Sequence, residues 1–173
     1  MKNALRLLAL TTLAAAGTAQ AASATNTLSV TATVTANCTI TTTPVAFGTY
    51  DPASSSNVSA AGAVSVACAK GATGLSVGLA NGSNYANLQR NMKGAVSTDL
   101  LAYKLVQPAS NAQPAAACPA YGSGTEWTDV ASLGLTTSPG KAARTYNVCG
   151  QLAPAQDVSV DNYSDTVVAT INF

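Results

Sequence analysis

Apolar and polar residues alternate with a period of two along most of the chain beyond residue 22. Leu28, Val30, Ala32 and Val34 fall on one side, with Thr27, Ser29, Thr31, Thr33 and Thr35 between them. Val64, Val66 and Cys68 alternate with Ser65 and Ala67, and Leu75, Val77 and Leu79 with Ser76 and Gly78. Leu101, Tyr103 and Leu105 alternate with Ala102 and Lys104, and Val167, Ala169, Ile171 and Phe173 with Val168, Thr170 and Asn172. Successive side chains of a strand point to opposite faces, so each run predicts a half-buried strand. The clusters Asp51-Pro52, Asn81-Gly82-Ser83-Asn84, Gly122-Ser123-Gly124 and Ser138-Pro139-Gly140 supply the turns between them. Beyond residue 21 nothing has the spacing of an amphipathic helix. Many short strands at such intervals predict one all-β domain, a sandwich or a barrel.

The two ends depart from this pattern in opposite ways. Residues 1–21 read as a secretory signal peptide: Lys2 and Arg6, an apolar run from Leu7 to Ala16, then the small-x-small site Ala19-Gln20-Ala21. The run is short of the roughly 20 residues a spanning helix needs. Residues 22–36 then form a Thr-rich arm, apolar on one face and free of proline, ahead of a domain expected over 37–173. The alternation alone leaves two readings of the arm open: the first strand of its own domain, or a strand for the edge of another chain's sheet. At the other end, Tyr163 to Phe173 predicts one regular strand with no hairpin partner after it.

Export gives the four cysteines a meaning. Cys38, Cys68, Cys118 and Cys149 are an even set with no CxxC spacing, so two disulfides are expected rather than a metal site. Of three connectivities the sequential one, Cys38–Cys68 with Cys118–Cys149, is favoured. Each bridge would close a loop of about 30 residues and contribute roughly 3–4 kcal/mol in the chain-entropy model. Composition narrows the chemistry further. The chain has no histidine, which removes Ser-His-Asp and Cys-His catalysis and His-ligated zinc. Charged residues are 9% of the chain against roughly 25% in a typical domain. Taking Lys2 and Arg6 from the eight basic residues leaves six against seven acidic ones, no footprint for nucleic acid or an anionic membrane. No enzyme, cofactor, metal or small-molecule substrate is expected. Asp161 and Asp165 flank Tyr163 but read as turn-bonding carboxylates, and Tyr163 as a corner residue acting through its hydroxyl. Trp127, the lone tryptophan, is expected to be partly buried packing rather than a sugar platform. The Asn-x-Ser/Thr triplets at Asn37, Asn57, Asn81 and Asn162 are of a kind that arises by chance in so Ser- and Thr-rich a chain.

Four stretches, taken in order, resemble the spore coat protein U domain family, which includes the pilins of archaic, Csu-type chaperone–usher systems. They are Asn37-Cys38-Thr39-Ile40 followed by Val45-Ala46-Phe47-Gly48-Thr49-Tyr50; Val64 to Cys68; Asp99 to Leu105; and Gly150 to Gln156 leading into Tyr163 to Phe173. Cys118 and Cys149 fall outside the family's usual single early bridge. The resemblance implies an immunoglobulin-like sandwich lacking its last strand. It implies a donor strand at Leu28, Val30, Ala32 and Val34, and an acceptor groove lined by Val167, Ala169, Ile171 and Phe173. Ala32 is small for a donor position. The implied partners are neighbouring pilin subunits, a periplasmic chaperone that also holds the Phe173 carboxylate, and an outer-membrane usher. The implied place is a surface fimbria, with adhesion and biofilm as consequences. Two other classes compete: a secreted coat or matrix protein that self-associates without an ordered fibre, and a small carbohydrate-binding module.

Overall fold

The computed structural model describes residues 20–173. The expected signal segment therefore lies outside the described residues, except for its last two. The chain divides into two units, one ending at Thr33 and one spanning Val34–Phe173. In the first, residues 20–33 are exposed and carry no strand.

The second unit contains strands β1 (Cys38–Thr43), β2 (Val58–Cys68), β3 (Ser76–Leu79), β4 (Arg90–Gly94) and β5 (Leu100–Val106). After these come β6 (Leu133–Gly134), β7 (Arg144–Leu152), β8 (Tyr163–Ser164) and β9 (Ala169–Asn172). They form a six-stranded sheet in the order β1-β2-β7-β5-β4-β8 and a three-stranded sheet β6-β3-β9. Every pairing is antiparallel. The described residues contain no helix, and the fold is an all-β, immunoglobulin-like sandwich.

The inward faces are those the alternation predicts. Val64 and Val66 of β2, Val77 and Leu79 of β3, and Leu101, Tyr103 and Leu105 of β5 are all buried, together with Tyr146, Val148 and Leu152 of β7. Trp127 goes further than its expected partial burial: it is fully enclosed, and its indole N–H donates to the Val77 carbonyl at 2.7 Å. Arg90 is enclosed beside it. Its guanidinium donates to the carbonyls of Leu79, Ala80 and Trp127 at 2.8–3.1 Å, with Glu126 3.4 Å away. Three carbonyls thus share one cation, which is how so charge-poor a core holds a charge.

The disulfides are Cys38–Cys68 and Cys118–Cys149. The first joins the opening residue of β1 to its register partner at the end of β2. The second clips the excursion after β5 to the outer face of β7, where the side-chain amides of Asn147 and Gln151 also bind that excursion's backbone.

One expected element is corrected. The single strand over Tyr163–Phe173 is two short strands in different sheets, β8 beside β4 and β9 beside β3. Between them Asp165 receives hydrogen bonds from the Asn84 backbone N–H, the Asn84 side chain and the Tyr103 hydroxyl. The backbone of residues 166–168 pairs with the β3–β4 loop, Ser83 N–H to Thr166 O and Ala80 N–H to Val168 O. The chain stays extended while it changes sheets, so Tyr163, Asp165, Val167, Ala169 and Ile171 keep a common half-buried face.

Candidate functional site: an apolar groove with two unpaired edges

Pro44 ends the β1 ladder, since proline has no N–H to offer. Residues 44–50 continue as an extended strap whose backbone pairs with no strand among the described residues. Its side chains set its position. Val45 and Phe47 turn inward over two glycines of the larger sheet. A Cβ at Gly150 would lie 2.5 Å from Val45 Cγ1 and 2.7 Å from Phe47 Cζ, and one at Gly62 would meet the Thr43 carbonyl at 2.6 Å. No larger residue fits at either place without moving the strap. The Phe47 ring packs edge-on against Tyr103, centroids 6.3 Å apart. The far end of the strap is pinned by Tyr50, whose hydroxyl donates to Ala153 O at 2.9 Å and accepts from Gln156 N–H at 2.8 Å. The Gln156 carboxamide in turn accepts from Ala102 N–H and donates to Ala102 O. That side chain stands in for the next residue of β7, which ends opposite Tyr103 at Leu152.

The other wall is the sheet-switching segment. β9 pairs with β3 on one side, and among the described residues nothing pairs with its other side. Tyr103 ties this wall to the larger sheet: its hydroxyl donates to Asp165 Oδ2 at 2.7 Å. Burial, then the bond to Asp165, raises the Tyr103 pKa well above the ordinary tyrosine value. Farther along, Asp161 accepts from the N–H groups of Ser97 and Val96, and these bonds hold its carboxyl below the usual range. Asp99 is held low in the same sense by Ser159. Of the two carboxylates expected to be turn-bonding, Asp161 binds loop N–H groups and Asp165 binds Asn84 and the Tyr103 hydroxyl, and the Tyr163 hydroxyl donates to Ser159 O at 2.8 Å.

Between strap and switching segment runs a groove in two lobes, lined by apolar side chains and by polar ones such as Thr43, Asp161 and Asn162. One, of about 560 Å³, is bounded by Tyr50, Leu101, Leu152 and Val158. The other, of about 400 Å³, is bounded by Leu79, Tyr103, Leu105, Val167 and Ala169. Val45, Phe47, Met92 and Tyr163 line both and so form the saddle between them.

Of the residues named from sequence for the acceptor, Val167 and Ala169 line the smaller lobe. Ile171 is half-buried against the core, opposite Val77. Phe173 lies past the last paired residue, is 57% exposed and lines neither lobe. Of the named donor residues, Leu28, Val30 and Val34 are 85–88% exposed, and Ala32 is exposed as well. The strap and Met92 went unnamed as groove residues. The signals were the short Val45-x-Phe47 alternation, hemmed in by Pro44 and Gly48, and the place of Val45–Tyr50 among the stretches that resemble the family. Among the described residues no three His, Cys, Asp or Glu side chains are grouped to hold a metal ion. No helix there is long and apolar enough to cross a membrane.

The Spore Coat Protein U domain family matches residues 24–170, and the chain belongs to that family. No curated protein matches it. Among solved structures it is similar to a chain of the CsuC–CsuE chaperone–tip adhesion subunit pre-assembly complex from the archaic chaperone–usher Csu pili of Acinetobacter baumannii. The identity is 20% and the TM-score 0.50, over 82% of this chain and 40% of the other. The chain thus spans less than half the length of that neighbour, and at this identity the likeness is one of fold.

Proposed function

We propose that this protein is a structural subunit of a surface fimbria, a rod or adaptor pilin joined to its neighbours by donor-strand complementation. The observation that carries the reading is the groove: an apolar floor flanked by two stretches of unpaired backbone. That is the template a strand from another chain completes. The arm at residues 22–36 is the matching part, exposed and alternating, with Leu28, Val30, Ala32 and Val34 as the side chains offered to the groove. Backbone bonds to the strap and to β9 would supply affinity, and the side chains would supply fit. A periplasmic chaperone would cover the groove before assembly, and an outer-membrane usher would exchange that cover for the next subunit's arm. Export through the periplasm to the cell surface, adhesion and biofilm formation follow from the same reading, as does a structural rather than catalytic role.

The test is the assembly state of the mature protein with and without residues 22–36, read by unboiled gel ladder and electron microscopy. Ladders and fibres that vanish with the arm are expected. Full polymerisation without it would sink the proposal, and ladders that give only amorphous material would favour a coat or matrix protein.

A further inference from the structure

The groove has one feature that bears on which strand it accepts. Its two lobes are separated by the saddle of Val45, Phe47, Met92 and Tyr163. Two members of that saddle are held by contacts on the side away from the groove or at their tips. Phe47 is backed by Gly150 and flanked by Tyr103, and Tyr163 is held through its hydroxyl to Ser159. A strand laid along the groove therefore needs large side chains at the lobes and a small one where it crosses between them. Residues 28–34 have that sequence on their apolar face: Leu28, Val30, then Ala32, then Val34. At about 3.3 Å per residue these seven residues span roughly 20 Å.

We infer that the groove is cut for the arm of a second copy of this chain, in one register, with Ala32 over the saddle and Leu28 and Val30 in the lobe opposite that of Val34. This rests on the donor-strand reading above and adds to it the occupant, the register and the residue that selects both. Ala32 is the specificity determinant on the donor side and Phe47 its counterpart on the acceptor side. A heterologous arm with a bulky residue at that position would be refused, because a rigid saddle meets extra volume with strain instead of accommodation.

The experiment places a phenylalanine at each of the four positions of the full mature chain and compares ladders from the purified protein on unboiled gels. The arm residues are exposed in the free chain, so the substitutions leave the folding of the domain intact. Ala32→Phe is expected to cut ladder formation at least about tenfold, while Leu28→Phe, Val30→Phe and Val34→Phe stay within about threefold of wild type. Adding Phe47→Ala to the Ala32→Phe chain lowers the saddle and is expected to restore ladders. Equal tolerance of phenylalanine at all four positions would overturn the register while leaving donor-strand assembly standing. A wild-type chain that forms ladders only with a different subunit's arm would overturn the choice of occupant. A wild-type chain that forms no ladder with any arm would overturn both readings together.

Discussion

Arg90 concentrates the polar bonding of the core in one side chain. Its guanidinium serves three carbonyls in a fully enclosed place, and Arg90→Ala would remove those donors. The expected loss is about 3 kcal/mol or more in urea unfolding. Glu126→Gln should cost under about 1 kcal/mol, because the Glu126 side chain is 43% exposed and its ion pair is screened. A Glu126→Gln cost equal to that of Arg90→Ala would show that the ion pair, not the carbonyl bonding, holds the arginine. Tyr103 and Tyr146 make a second prediction. Burial raises both hydroxyl pKa values in the folded protein, so the folded state keeps protons that the unfolded chain releases above about pH 10. Their contribution is complete below that pH and is lost as pH rises toward the folded values. Urea midpoints should fall steeply above pH 10, and Tyr103→Phe should flatten that fall. An unchanged slope would remove Tyr103 as its source.

At the scale of elements, the strap depends on what lies beneath it. Gly150→Val puts side-chain atoms where Val45 and Phe47 now sit. It should cost about 1–3 kcal/mol and abolish ladder formation by displacing the strap. Normal ladders from this variant would show that the strap is not a wall of the working groove. Much at this scale was legible in the sequence. The inward faces of β2, β3 and β5 follow directly from alternation, because period two survives wherever one face of a strand is buried. The strap stood out as a stretch that resembles the family but not by periodicity, since Val45 and Phe47 are only two alternating positions, and the glycines that admit them lie about a hundred residues away at Gly150 and nearer at Gly62. The break between β8 and β9 was equally hidden. The alternation runs straight through it, while the bonds that cause the switch come from Asn84 and Tyr103. Side-chain periodicity records which face is inward and is silent on which sheet the backbone joins.

For the whole molecule, donor-strand assembly would make stability a matter of what fills the groove. A synthetic peptide of residues 22–36 added to the mature chain should raise the melting temperature with concentration. Once free peptide reaches a hundred times Kd the gain is about 2.7 kcal/mol. A peptide of the same composition in scrambled order should give no shift, and an equal shift from both would mean non-specific apolar binding. At this level the alternation of residues 22–36 and of 163–173 was legible in the sequence. The lobes and saddle emerge only when strap and switching segment face each other.

The bridge between Cys38 and Cys68 has a mechanical meaning in such a fibre. The arm leads directly into Cys38, where the β1–β2 ladder begins. A tug on the arm would arrive at that first rung and, by itself, would peel β1 away one hydrogen bond at a time. The covalent link sits at the rung that would open first and passes the load straight into β2, the neighbour of β7 at the middle of the larger sheet. In a fibre joined through the arm the subunit would thus be riveted at the point where traction enters it, and under oxidising conditions that first rung would be closed to tearing.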